Sequence, residues 1–379
     1  MGTFRRIKAA LIGSGAISEK YLTNITKKFH VIDMVGCSDL IPERSAQRAE
    51  QFGIRQMTNE EILSDPTIEI VVNTTYPLSH YEVTKAALLA GKHVYTEKML
   101  AVTLEEGLEL CELAKEKGLM LTTAPDTFLG GGWQTARHMI DTGLIGTPIG
   151  ALGVCIRSYQ DHGDTYTEPK SFIFGGGGGI PFDMGGYDLH TLFNIFGPIE
   201  SVCGYAYTRN AHRPYLNPRH EKFNEDFFVN TINTMCASMK FKAGPLLSFT
   251  TSSEYSISDS MLMIMGTEGI LYLPDTNDFS GTIYLQKKDN EKLEFPLCHP
   301  FTENCRGIGA ADMAWALRTG RKSRLSFEMS YHTLEVINAV IDSSNDGETK
   351  HLTTDFDIPK PISTEFYRGT SEERSLFLY

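Results

Sequence analysis

No apolar run in this chain reaches the length of a membrane span, which excludes a spanning helix. No two cysteines stand in C-x-x-C spacing. The seven present, Cys37, Cys111, Cys155, Cys203, Cys236, Cys298 and Cys305, are scattered and odd in number. That pattern excludes a disulfide framework and suits reduced, mostly buried thiols in a cytoplasmic protein. Cys298, His299 and Cys305 lie close together but fit no zinc spacing, so no metal is expected. A basic excess is also missing: 35 Lys and Arg face 47 Asp and Glu, a net charge of -12. A general nucleic-acid or acidic-membrane surface is therefore excluded. Internal repeats are absent, and Gly175–Gly179 is the one low-complexity segment. The opening "MGTFRRIKAALIGSG" has two arginines before an apolar stretch, as a signal peptide would. The stretch is short, rich in β-formers and ends in a glycine turn, so it reads as a first strand. Arg6 stands where a myristoylation signal needs Ser or Thr.

What is present is an ordinary globular composition, 41% hydrophobic and 22% charged, over 379 residues. That length suits two domains or one large one. Up to about residue 125, strand-like and helix-like segments alternate. "IKAALIG", "VIDMVGCSD", "IEIVVNTT", "KHVYTEK" and "LMLTTAP" read as strands. Residues 18–29, "ERSAQRAEQFG", "HYEVTKAALLAG" and "LEEGLELCELAKEKG" read as helices, the last three closing on glycine. This is the pattern of a doubly wound parallel sheet. After residue 125 strand candidates dominate: "ALGVCIRSY", "IESVCGYAYT", "NTINTMCASMKF", "PLLSFTTSS", "MLMIMG" and "GILYLP". They predict an open, mostly antiparallel sheet with few helices, namely "GWQTARHMIDTG", "IGAADMAWALRTG" and "FEMSYHTLEVINAVIDSS". The expected organisation is a nucleotide-binding domain over 1–125 and an α+β substrate and oligomerisation domain over 126–379.

"LIGSGAIS" places Gly13, Gly15, Ala16, Ile17 and Ser18 between the first strand and the first helix. Such a turn lets backbone amides approach a pyrophosphate at a helix N-terminus. Asp39 ends the second strand, where a carboxylate accepts from ribose hydroxyls and repels a 2′-phosphate. NAD is therefore the expected cofactor. The alternative for Asp39 is a cap before "LIPERS", where Pro42 starts a helix, and both roles are compatible.

In "GGGGGIPFDMGGYDLH", Asp183, Tyr187 and His190 are spaced four and three apart, one face of a helix. Asp183 could instead cap that helix, and Tyr187 and His190 could pack in its core. "APDTFLGGGWQ" follows the last strand of the first domain. It offers Asp126 toward the nicotinamide and Trp133 as either a sugar-stacking or a packing residue. Asp161, His162 and Asp164 fall in a loop that is either sugar-binding or solvated. Arg306 and Asp312 have no assigned role.

The chain resembles the glucose–fructose oxidoreductase / inositol dehydrogenase (Gfo/Idh/MocA) family over nearly its whole length. The matching pieces are "GSGAIS", "VVNTTYPLSHYEVTKAALLAGKHVYTEKM", "GGGGIPFDMGGYDLHTLFNIFGPIESV", "GTEGILYLP" and "RGIGAADMAWALRTGR". The resemblance implies a pyridine dinucleotide and a sugar, cyclitol or glycoside substrate, with a ring hydroxyl such as a glucoside 3-hydroxyl oxidised. It assigns Thr74, Thr75, His80, Glu97 and Lys98 to the cofactor end, and Lys98, Asp183 and Tyr187 or His190 to catalysis. Tyr187 stands where the family often has His. Beside a cationic nicotinamide the Lys98 ammonium is disfavoured, so its pKa is expected to fall toward neutrality. The glycine run is expected to keep space for ligand. The family reads Glu-Lys-Pro where this chain reads Glu97-Lys98-Met99, so the peptide is either cis without proline or trans with Lys98 held differently. Two other functions are compatible with the sequence: sugar–sugar oxidoreduction on a tightly held cofactor, and non-catalytic sensing of NAD or sugar. A second subunit is expected to cover the open sheet, making a homo-oligomer.

Overall fold

The computed structural model describes residues 5–158, 178–215, 218, 222–288 and 290–363. The first half runs β1 (Ile7–Ile12), α1 (Ser18–Lys27), β2 (Ile32–Ser38), α2 (Pro42–Phe52), β3 (Arg55–Gln56), α3 (Asn59–Ser64), β4 (Ile70–Asn73), α4 (Pro77–Leu89), β5 (His93–Thr96), α5 (Leu104–Lys117) and β6 (Leu121–Thr123). The strands form one sheet in the order β3-β2-β1-β4-β5-β6, every pair parallel. β1 and β4 are buried on both faces, as helices on each side of a parallel sheet require. Helix starts follow local chemistry. Thr103 and Glu106 close a capping box at α5, and Pro42 and Pro77 open α2 and α4. β3 and α3 were not legible in the sequence, since two and six residues are too short for a periodic pattern.

The chain order reverses between β1 and β4. The loops leaving β1, β2, β4, β5 and β6 therefore gather at one edge, the switch point where doubly wound sheets bind nucleotides. Those loops carry Gly13 and Gly15, Asp39, Thr74 and Thr75, Glu97 and Lys98, and Asp126.

The second half begins with α6 (Gly131–Asp141) and β7 (Pro148–Ile156). A single π-helical turn, Pro181–Gly185, leads into α7 (Gly186–Phe196). The strands β8 (Ile199–Tyr207), β9 (His212–Pro214), β10 (Asp226–Phe228), β11 (Thr234–Phe241), β12 (Leu246–Ser252), β13 (Asp259–Gly266), β14 (Gly269–Leu273), β15 (Ile283–Lys287) and β16 (Leu293–Phe295) follow. Last come α8 (Ile308–Thr319), α9 (Phe327–Asp346) and β17 (Lys350–His351). The large sheet has the order β16-β15-β14-β13-β7-β12-β11-β8-β17 and is antiparallel except between β7 and β12. Its inner face packs on α7 and α9: Met235, Ala237, Met239 and Phe241 of β11 are buried while Cys236 and Lys240 point out.

After building this sheet the chain returns to the nucleotide-binding half. α9 lies against α5 and β6 as well as β8, and α8 touches β5. One apolar core runs through both halves, from Leu11 and Tyr95 to Trp133, Leu189, Phe249 and Leu334. All seven cysteines are free, and no helix among the described residues is long and apolar enough to cross a membrane. No group of three or more His, Cys, Asp or Glu among them is arranged to hold a metal.

Candidate active site

At the nucleotide end, the turn after β1 is tied to the end of β2. Ser14 N donates to Asp39 Oδ2 at 2.7 Å, and Ile41 N donates to Asp39 Oδ1 at 2.8 Å. Asp39 thus steadies the start of α2 while keeping lone pairs toward the sheet edge. A Cβ added to Gly15 would meet no protein atom within 4 Å, so the turn leaves open space in front of the α1 N-terminus. Leu40, beside Asp39, is 90% exposed and available to cover a flat ring. These features fit a dinucleotide with its pyrophosphate at Gly15 and its ribose at Asp39. Thr74 Oγ1 donates to Gly13 O at 2.6 Å and joins the two glycine-bearing loops. The buried His80 has one ring nitrogen 2.7 Å from Met99 O and the other 3.0 Å from Thr75 O. It fastens the turn after β5 to the turn after β4, and burial pushes its pKa down. Ala16 and Ile17 lie in the turn itself; Ile17 caps α1 without a side-chain bond, leaving the first amides for an anion.

The turn after β5 carries the chemistry. The Lys98–Met99 peptide is cis. Lys98 Nζ donates to Asp183 Oδ1 and to Asp183 O, both at 2.7 Å. The same ammonium lies 4.9 Å from the centre of the Tyr187 ring. Asp183 sits in the π turn and Tyr187 in the first turn of α7, so the two halves of the chain meet at this pair. Glu97 accepts from the Tyr21 hydroxyl, and Tyr21 lies beside the Tyr95 hydroxyl at 3.5 Å.

The profile of an oxidoreductase family with an NAD-binding Rossmann fold, GFO_IDH_MocA, matches residues 7–124, and that of the GFO/IDH/MocA C-terminal domain matches residues 133–272. The chain belongs to the Gfo/Idh/MocA family. Among its relatives, the inositol 2-dehydrogenase/D-chiro-inositol 3-dehydrogenase of Lactiplantibacillus plantarum is 30% identical over 38% of this chain and 42% of its own length. The 1,5-anhydro-D-fructose reductase of Ensifer adhaerens is 28% identical over 76% of this chain and 82% of its own. The match thus spans less than half of the first relative. A levoglucosan dehydrogenase solved with NADH shares the fold, with a TM-score of 0.79 at 20% identity over 92% of this chain and all of that one, 100%.

Several expectations for a Gfo/Idh/MocA member need correction here. In the protein alone the pKa of Lys98 is raised; the expected fall toward neutrality belongs to the ammonium beside a cationic nicotinamide. Burial opposes its charge, but Asp183, Tyr187 and Glu97 together outweigh that. His190 does not join Asp183 and Tyr187 at the cleft. It is 1% exposed, with one ring nitrogen 2.9 Å from Pro125 O and the other 2.9 Å from Thr333 Oγ1. Every residue of α7 is buried, so sharing a helical stripe does not bring a side chain to the cleft one turn deeper. Burial holds the His190 imidazole neutral, its pKa pushed down to about 4. Asp126 is 1% exposed and accepts from Gly307 N at 2.9 Å and Gly309 N at 3.0 Å. Trp133 is fully buried and donates to Asp278 O at 2.7 Å, so it packs instead of stacking on sugar. Asp161, His162, Asp164 and Gly175–Gly177 lie outside the described residues.

The glycine run also has a different reason at its end. Gly179 has φ 95°, and a Cβ there would lie 2.3 Å from Ile232 O. It faces protein backbone, not ligand space. Gly179→Val is therefore expected to destabilise the fold by at least about 1–3 kcal/mol through strain alone, with the clash adding to it. Thermal unfolding checks this; an unchanged Tm would show that the local backbone can relax.

Sequence reasoning left Arg306 without a role, yet the structure anchors it on Asn277, whose Oδ1 accepts from its Nη2 at 2.6 Å. The signal was absent because the two lie 29 residues apart in the chain.

Proposed function

We propose that this protein is an NAD-dependent dehydrogenase that oxidises a secondary ring hydroxyl of a sugar, cyclitol or glycoside. The observation that carries this is the Lys98–Asp183 pair beside Tyr187, placed at the sheet edge where the glycine turn and Asp39 receive the nucleotide. Bound nicotinamide supplies the two-electron acceptor. The protein must place the carbinol, hold charge on its oxygen and take its proton. Lys98, kept as an ammonium by Asp183, is suited to donate a hydrogen bond to the carbinol oxygen and stabilise the alkoxide that develops there. It cannot accept the proton in that state. Tyr187, beside it, is then the group that does.

The experiment is to follow the reduced-nicotinamide absorbance with NAD or NADP and a substrate panel. The panel comprises myo-inositol, scyllo-inositol, levoglucosan, D-xylose, 1,5-anhydro-D-fructose with reduced cofactor, and methyl glucoside, whose 3-hydroxyl is the finer candidate. Turnover of any member with NAD is the expected result. Asp39 predicts NAD over NADP by about tenfold or more, since a carboxylate near a 2′-phosphate costs on the order of 1–2 kcal/mol in partly hydrated surroundings. Tighter NADP binding in a direct titration would overturn the assignment of Asp39. A cofactor that purifies with the protein and cycles without exchange would instead favour sugar–sugar oxidoreduction. A second copy of the chain is the proposed cover for the outer face of the large sheet, where Tyr205 is 72% exposed and Met261 stands beside half-buried Val154.

A further inference from the structure

Tyr21 is fully buried in α1, yet its hydroxyl is not spent on packing. The phenol donates to Glu97 Oε1 in the turn after β5. The other carboxylate oxygen, Oε2, accepts from Lys98 N at 3.3 Å. Both oxygens of Glu97 thus have a donor inside the protein, one from α1 and one from the backbone that carries Lys98. Burial pushes the Tyr21 pKa well above its ordinary value and the Glu97 charge adds to this, so the phenol keeps its proton and donates. A buried hydroxyl is costly unless it is partnered, and a bond to an ionised acceptor is among the stronger ones.

The ring is fixed as well as the hydroxyl. Tyr95 packs against it with ring centres 5.9 Å apart, and the two hydroxyls lie 3.5 Å apart. A Cβ at Gly307 would lie 3.4 Å from Tyr21 Cδ1 and 3.1 Å from Ile25 Cγ1, so the entry to α8 rests on this side of α1. Asn24 Nδ2 reinforces that contact by donating to Arg306 O at 2.9 Å. At the other end of the bond, Glu97 N donates to Asn73 O at 2.8 Å, at the end of β4. α1 is also the helix whose open N-terminus fits a pyrophosphate. Ser18 Oγ donates to Gly15 O at 2.6 Å and fastens that turn, and Tyr21 follows three residues, about one helical turn, later. The helix that fits the dinucleotide at one turn therefore holds the Lys98 backbone at the next. Phenylalanine would fill the same apolar volume, so the hydroxyl itself serves its polar partners.

We propose that Tyr21 is a positioning residue: through Glu97 it fixes the Lys98 turn relative to the helix that receives the dinucleotide, and so sets where the ammonium meets the substrate oxygen. This rests on the reading of Lys98 given under Proposed function. At 0% exposure Tyr21 itself reaches neither substrate nor cofactor. Lys98 is held at two points, its ammonium by Asp183 from the second half of the chain and its backbone by Glu97 from the first. Loss of the Tyr21 hydroxyl leaves the ion pair in place and loosens the second point.

The test compares Tyr21→Phe, Glu97→Asp and the double variant. Tyr21→Phe deletes one oxygen. Glu97→Asp keeps the charge, shortens its reach by one methylene and does so at a half-buried position. The first readout needs no substrate: hydrogen exchange of the Lys98 amide in the cofactor-free protein, followed by NMR. It is expected to quicken about tenfold in each single variant while the amides of β1 keep their rates. The second is turnover of whichever panel substrate the wild type oxidises, with NAD saturating. Each single variant is expected to lose about tenfold in kcat, short of the roughly 10²-fold that an ångström of misplacement costs, with KM within about twofold. The double variant should be no slower than the slower single one, because both changes break the same bond. NADH binding, read by fluorescence titration, should be unchanged. Exchange at Lys98 that neither single variant alters overturns the proposal. Full kcat in Tyr21→Phe does the same, and so does a double variant whose losses multiply. A lower Tm with kcat of the folded fraction intact makes Tyr21 a packing residue and also overturns it. Should Tyr21→Phe fail to fold, Glu97→Asp reads the same bond alone. Lys98→Ala separates this proposal from the reading beneath it. If that variant keeps its turnover, Lys98 is not in the reaction; if it is inactive while Tyr21→Phe is not, only the role of Tyr21 falls.

Discussion

Lys98→Ala is expected to bind NAD as the wild type does and to lose roughly 10²–10³-fold in kcat, the range found when one donor to a developing oxyanion is removed. The ammonium stands at the only place in the described residues where an ion pair joins the β5 turn to the π turn, 2.7 Å from Asp183. Its side chain is 17% exposed, so it reaches the cleft without being dissolved in it. Removing it takes away the charge that faces a developing alkoxide and the ammonium that Asp183 accepts from. The loss should appear in kcat more than in KM, because the alkoxide exists only along the reaction path. Lys98→Met, which keeps the apolar stem, separates lost charge from lost packing. Turnover near normal in either variant, with cofactor saturating, would remove Lys98 from the mechanism.

Asp312→Ala is expected to cost about 3–5 kcal/mol of stability, the usual result of removing one partner from a buried ion pair. In a protein of this size that is a Tm drop of about 4–6 °C. Asp312 is 2% exposed in α8 and accepts from Arg321 Nη2 and Arg324 Nη1, each at 2.6 Å, and from Arg324 N at 2.7 Å. Arg324 reaches on to Lys360 O at 2.9 Å. One carboxylate thus fastens the segment between α8 and α9 and the strand of chain that follows them. Burial works against its charge, but the two guanidinium groups and the amide hold its pKa below the ordinary value. That contribution is present above the unfolded carboxyl pKa, near 4, and is lost as pH falls through the lower folded value. Acid unfolding monitored by circular dichroism checks the sign. The folded fraction of the variant should keep its turnover number, because the partners of Asp312, namely Arg321, Ser323 and Arg324, lie in the segment after α8 and not among the candidate site residues.

Most of the frame could be read from local signals. Gly13 and Gly15 after an apolar strand, Asp39 at the next strand end, and helix starts at Pro42, Pro77 and Thr103 all depend on neighbours a few residues away. Asp183 and Tyr187 were found by spacing, and the spacing held because one turn of helix separates them. The same rule failed for His190. Periodicity reports which side of a helix a residue occupies, and α7 has protein on all of its sides.

The sequence by itself determined the order of strands and helices, the sheet edge where the nucleotide is received, and the residue types placed there. These follow from backbone sterics, capping and hydrophobic period, which act within a few residues. Tertiary structure alone decided the charge on Lys98, the neutral packing of His190 and the inward turn of Asp126. Each is set by a partner distant in the chain: Asp183 lies 85 residues from Lys98, and Gly307 lies 181 residues from Asp126. Ionisation and hydrogen-bond satisfaction depend on what burial removes and which groups burial brings near, and neither is specified until the two halves of the chain close on each other.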